Sequence, residues 1–190
     1  DQVLIDNGTF NVTGSGTTVT VTNTGGNSVE VGDGSGTGVL NILAGATFTT
    51  PGQIIIADDS GSTGTITVDG SGSALSTTGS GDKDIEVGSD GNGTLNVTDS
   101  GSVTIADDLI VGRDGGTGTV NINTGGSVTV SNQLEVALVG SGSTGTVTIN
   151  GATSSLTAAS ASIGNGVGNA TVNVDNSGTL TLNGATTIGD

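Results

Sequence analysis

Val, Ile and Leu recur at every second position in short runs along the chain, with Thr, Ser or Asn between them, and clusters of Gly, Asn, Asp and Ser separate the runs. Alternation with a period of two, bounded by turn residues, predicts half-buried β-strands. No run approaches the roughly 18 consecutive apolar residues of a membrane-spanning helix.

The strands belong to an internal repeat. Its anchor is Gly-Thr-aliphatic-x-aliphatic, as in Gly8-Thr9-Phe10-Asn11-Val12, Gly64-Thr65-Ile66-Thr67-Val68 and Gly118-Thr119-Val120-Asn121-Ile122. Seven copies centre on Phe10, Leu40, Ile66, Leu95, Val120, Val147 and Val172, in steps of 30, 26, 29, 25, 27 and 25 residues with a mean of 27. Two further strands follow in each repeat. The second is typified by Ser102-Val103-Thr104-Ile105, and the third by Val29-Glu30-Val31 and Ile85-Glu86-Val87. A strand-only repeat of this length predicts a solenoid. Three strands per coil, joined by turns that tolerate positive φ, give an all-β, right-handed parallel β-solenoid of about seven coils, a single domain over residues 1–190. With coils about 4.8 Å apart the rod is roughly 34 Å long, and each coil points about six side chains inward. Phe10 and Phe48 fall at inward positions.

Composition then narrows the function. The 190 residues hold 37 Gly, 1 Pro, 2 Phe and no Cys, Met, Trp, Tyr or His. Thiol catalysis, Ser-His-Asp triads, zinc fingers and disulfide frameworks need residues this chain lacks. Only Lys83 and Arg113 oppose 18 acidic residues, for a net charge of −16, which repels phosphate backbones and anionic lipid. Neither nucleic-acid binding nor membrane insertion of this segment is expected. A hydrophobic content of 31%, concentrated in alternating strands, argues against a disordered acidic chain.

The pattern aliphatic-x-Val-Gly-x-Asp-Gly-x-Gly-Thr-Leu-x-Val-x-x-Gly-Gly-Ser-Val-Thr, seen in Ile85–Thr104 and Leu109–Thr129, resembles the repeat shared by type V autotransporter passengers and PEP-CTERM-associated bacterial surface proteins. The resemblance covers essentially the whole chain. It departs from the family in lacking the tryptophan that many copies carry near the second strand, and in lacking a translocator barrel or sorting tail. It implies an exported protein, extracellular or at the cell surface, serving as the shaft of an adhesin or as the subunit of a head-to-tail surface filament.

Four features carry candidate chemistry. Acidic turns after the third strand place Asp33, Asp58 with Asp59, Asp90 and Asp114 at similar phase, where stacked carboxylates suit Ca²⁺; the competing reading is that Asp-Gly steps simply make turns. No other cofactor is expected. Outward Thr/Ser pairs on the second strand, such as Thr47/Thr49, Ser102/Thr104 and Ser127/Thr129, form a hydroxyl ladder suited to ice or glycan, against the plainer reading that Thr is a soluble strand former. On the third strand the outward position reads Leu4, Glu30, Ile55, Glu86, Ile110, Glu135, Ser162, Thr187. Glutamates there never occupy adjacent coils, as expected if stacked like charges are avoided, and Leu4, Ile55 and Ile110 are candidates for an apolar stripe of lateral association. Finally, the chain opens and closes on third strands, so Val3, Ile5 and Ile188 are candidates for end-to-end contact, with another copy or with neighbouring repeats of a longer chain.

A polysaccharide-cleaving β-helix is the enzymatic alternative. The carboxylate pairs Asp58/Asp59 and Asp107/Asp108 are adjacent in turns, and no base, orienting group or aromatic platform can be assembled around them, so no enzymatic activity is expected. The repeat is interrupted at Gly79–Asp84 and Ala137–Gly142, where a bound partner would be sought.

Overall fold

The computed structural model describes residues 2–138, 140–164, 166 and 168–189. The chain forms a parallel β-solenoid of about seven turns whose ladders follow the repeat. The first strands, Gly8–Thr13, Thr37–Leu43, Thr63–Asp69, Asn92–Thr98, Thr117–Asn123, Thr144–Asn150 and Asn169–Asp175, make one seven-stranded sheet in sequential order. All six of its pairings are parallel and free of register shifts. The anchor column Phe10, Leu40, Ile66, Leu95, Val120, Val147, Val172 stacks residue on residue, as the spacing predicted.

Second and third strands share a thirteen-stranded sheet. In the early coils they are separate, as in Ser102–Ile105 and Leu109–Val111. In the fifth and sixth coils they fuse into the single elements Ser127–Val136 and Ser155–Ile163, with a register shift between Val130 and Gln133, and in the last coil they separate again as Thr179–Leu182 and Thr186–Ile188. That fusion was not expected from the sequence. The irregularity is stitched by the Ser131 hydroxyl, which donates to the Ile105 carbonyl, and by the Asp108 carboxylate, which accepts from the Gln133 N–H.

The interior is a column of aliphatic residues, with Ile66, Val68, Leu75, Ile85 and Val87 filling one coil. The sixth inward position of that coil is Thr77, buried with its hydroxyl donating to the Lys83 carbonyl and accepting from the Ala106 N–H. Both partners hold its polar atom, so burial leaves nothing unsatisfied. Phe48 is fully buried, whereas Phe10, in the first coil, is 38% exposed.

The anchor glycine has a steric cause. A Cβ on Gly64 would lie 2.1 Å from the Val31 carbonyl oxygen, and one on Gly118 would lie 2.1 Å from that of Val87. The first strand starts where the chain crosses tightly over the preceding turn, and no side chain fits there. The turn itself places Gly32, Gly88 and Gly112 at positive φ, with Ala57 and Ala137 taking the corresponding positions in other coils.

Candidate functional site

The sharp turn after each third strand shapes the ground outside it. Outward positions stack in register as Leu4, Glu30, Ile55, Glu86, Ile110, Glu135, Ser162 and Thr187. The expectation of an exposed apolar stripe is corrected here. Leu4 is 51% exposed, but Ile55 is only 5% and Ile110 only 7% exposed, so neither can meet a flat neighbour. The left-handed residue closing each strand folds the next ones, Asp33, Asp58, Ser89 and Arg113, back beside the strip. Polar residues that open the strand flank the other side: the Asn27 amide donates to Glu30 Oε1 at 2.8 Å, and the Gln53 amide donates to Glu86. The result is a sheltered trough.

Glutamates on that floor are managed one at a time. Arg113 reaches across to Glu86 at 2.8 Å and lies 3.3 Å from Asp114, so one of the chain's two basic residues is committed to a buried carboxylate. Among the described residues no cation pairs with Glu30. Burial pushes its carboxyl above the usual range, opposed by the Asn27 hydrogen bond and reinforced by the charges of Asp58 and Asp33. Glu135 is also raised, by burial first and then by Asp108 and Asp84, with Arg113 pulling the other way.

The five turn aspartates do not converge on one site. Backbone hydrogen bonds from Asp58 to Gly32, Ser89 to Ala57 and Arg113 to Gly88 align Asp33, Asp58, Ser89 and Arg113 in one column, so the acid run ends after two coils. Asp33 and Asp58 meet Glu30 instead, with carboxylate oxygens of all three within 4.8 Å of one another. Burial raises the Asp58 carboxyl, followed by the charges of Asp59, Asp33 and Asp90, while the Ser89 hydrogen bond opposes them. Asp59, Asp90 and Asp114 lie one residue further along and are exposed; Asp59 accepts from the Gly34 N–H, and Asp114 faces Arg113.

A second acidic group was only half visible in the sequence. Asp84, from the interruption Gly79–Asp84, joins the pair Asp107/Asp108 of the next coil, again within 4.8 Å. Asp84 is pushed up to about 6, chiefly by burial, against a hydrogen bond from the Asp108 N–H and with the charges of Asp108, Asp107 and Glu86 adding to the rise. The shared position of Asp84 and Asp108, each just before a third strand, was the available signal. In the other interruption, Ala137–Gly142, Val139 lies outside the described residues.

Of the candidate end residues, Val3 is half-buried, Ile5 is buried against the core and Ile188 is 75% exposed. Val3 also lines an open cavity of about 440 Å³ with Gln2, Val19, Thr20, Val21, Thr22 and Asn23.

The hydroxyl ladder on the second strand is partly spent within the protein. Thr47 donates to Thr18 at 3.0 Å, Thr49 and Ser76 share a hydrogen bond of 3.0 Å, and Ser102 donates to the Ser73 carbonyl. The first-strand sheet presents a larger array of outward polar residues. Its outer rows run Thr9, Val39, Thr65, Thr94, Thr119, Thr146, Thr171 and Asn11, Asn41, Thr67, Asn96, Asn121, Thr148, Asn173. Asparagines there pair between coils, Asn41 to Asn11 at 2.8 Å and Asn121 to Asn96 at 3.0 Å.

These features define the class as a repeat-built β-solenoid with a sheltered acidic trough on one side and an in-register Thr/Asn sheet on another. Comparison of the chain with protein-family models, curated proteins and solved structures gave no match in any of the three.

Proposed function

We infer that this solenoid works mechanically, as the shaft of a bacterial surface adhesin or the subunit of a surface filament, outside the cell. The observation that carries the reading is the unbroken register of the seven-stranded sheet, which ties every coil to the next by backbone hydrogen bonds and makes a stiff rod. The acidic, cysteine-free composition and the resemblance to surface-protein repeats support the location. Antibody labelling and protease shaving of intact source cells test it: surface signal and a protease-resistant core are expected, and a signal found only after lysis would overturn the location. Negative-stain microscopy of the purified chain should show rods about 34 Å long, or fibres built from them; a flexible chain would overturn the mechanical role.

A binding role for Ca²⁺ has one observation in its favour, the convergence of Glu30, Asp33 and Asp58. Oxygen donors at that spacing suit a hard divalent cation. Calorimetry with CaCl₂ on the native chain and on Asp58→Asn tests it; equal heats for the two proteins would exclude this group.

A further inference from the structure

We propose that the outer face of the seven-stranded sheet binds ice, holding ordered water in the geometry of the crystal. The face combines three properties. Its centre is uncharged: across all seven coils the two rows centred on Thr119 and Asn121 contain no Asp, Glu, Lys or Arg, and the nearest carboxylates in the sheet, Asp69 and Asp175, stand in the next row along the strands. Its threonine hydroxyls are free: among the described residues Thr65, Thr94, Thr119 and Thr146 have no side-chain hydrogen bond within the protein, unlike the second-strand ladder, where Thr18, Thr47 and Thr49 use theirs between coils. And it is regular, because no pairing in this sheet slips register.

Spacing supplies the link to the ligand. Rungs stack about 4.8 Å apart, and alternate residues along a strand lie about 6.6 Å apart. A tetrahedral water network with O···O near 2.75 Å puts second-neighbour oxygens about 4.5 Å apart and repeats along its hexagonal axis at about 7.3 Å. The two lattices agree to about a tenth in each direction. Each threonine adds a methyl that excludes disordered water beside a hydroxyl that can join the lattice. A second copy of the chain is the rival occupant. Two rows over seven rungs, with their neighbouring row, cover about 13 Å by 29 Å, well short of the roughly 800 Å² per partner of a stable interface, and the patch lacks an apolar centre.

The test is thermal hysteresis and uptake into a growing ice hemisphere, measured on the 190-residue chain and on two variants. Thr119→Tyr puts a ring in the middle of the flat face, and Thr104→Tyr puts the same ring on the second-strand face; Tyr is a good strand former, and circular dichroism with melting confirms both folds. The native chain and Thr104→Tyr should shape ice and enter it, and Thr119→Tyr should lose nearly all of that activity. No activity in the native chain overturns the proposal, as does equal loss in both variants. Sedimentation of the native chain as a dimer that Thr119→Tyr dissociates, without ice activity, would assign the face to self-association instead. Because the two rows carry no titratable group, the activity should not change between pH 5 and pH 8.

Discussion

Two outer surfaces of the same repeat have opposite characters. On the first-strand sheet, Thr65, Thr94, Thr119 and Thr146 stand half-exposed in an uncharged row. On the third strand, Glu30, Ile55, Glu86 and Ile110 point outward with the same alternation, yet are at most 7% exposed. Nothing in the local strand pattern separates them. Both strands end on a left-handed residue, Gly32, Ala57, Gly88 or Gly112 after the third and Ala44, Gly70, Asp99 or Thr124 after the first, so the difference comes from what packs alongside: Asn27, Gln53 and Arg113 reach the glutamates of the third strand. An outward position in a solenoid is therefore wet or sheltered according to its neighbours, and a carboxylate in the trough has a pKa and a stability cost that the same residue on the plane would lack.

The sharpest way to break the comparison is to place one new charge on each surface. Ile55→Asp sets a third carboxylate between Glu30 and Glu86 in the trough and should destabilise the protein by about 3 kcal/mol. Urea denaturation of the variant reads that loss. Next comes Arg113→Ala, which strips the buried Glu86 of its cation and should cost about 2 kcal/mol. Adding Glu86→Gln to Arg113→Ala should recover most of it, and a double-mutant cycle gives the coupling.

Acid should stabilise this protein. The folded-state pKa values of Glu30, Asp58, Asp84, Asp108 and Glu135 are all raised, so in the window from about 4 to about 6 the native state binds more protons than the unfolded chain. The stability these groups contribute is complete below their unfolded pKa values and is lost as pH rises through the folded ones. Tm is accordingly expected to be higher at pH 4.5 than at pH 7.5, and Asp84→Asn should flatten part of that slope. The smallest effect belongs to Thr94→Asp on the open plane, within about 0.5 kcal/mol of the native chain by the same urea measurement.

Much of the fold was legible because a solenoid writes its core as a column. The spacing of Phe10, Leu40, Ile66 and their successors fixed which residues stack, and the second- and third-strand columns through Val103 and Ile85 followed from the same alternation. Alternation reports which side of a strand a residue takes, not the curvature outside it, and for that reason Ile55 and Ile110 read as exposed. The meeting of Asp84 with Asp107 and Asp108 was hidden for a related cause: it joins an interruption in one coil to a turn in the next. The free threonine face was in plain view, as Thr65, Thr94, Thr119 and Thr146 recur at the repeat length, but its distinction from the second-strand ladder lies in hydrogen bonds that composition cannot reveal.

The tight winding that excludes a Cβ at Gly64 and Gly118 also stores contour length. A coil of about 27 residues advances the rod by only about 4.8 Å, yet pulled straight it would span roughly 90 Å. Each coil contacts only its neighbours, so a tether under load would peel them away singly. Under the proposed mechanical role, each coil released by a pull would lengthen the tether by roughly 85 Å, so extension would come in steps of one coil.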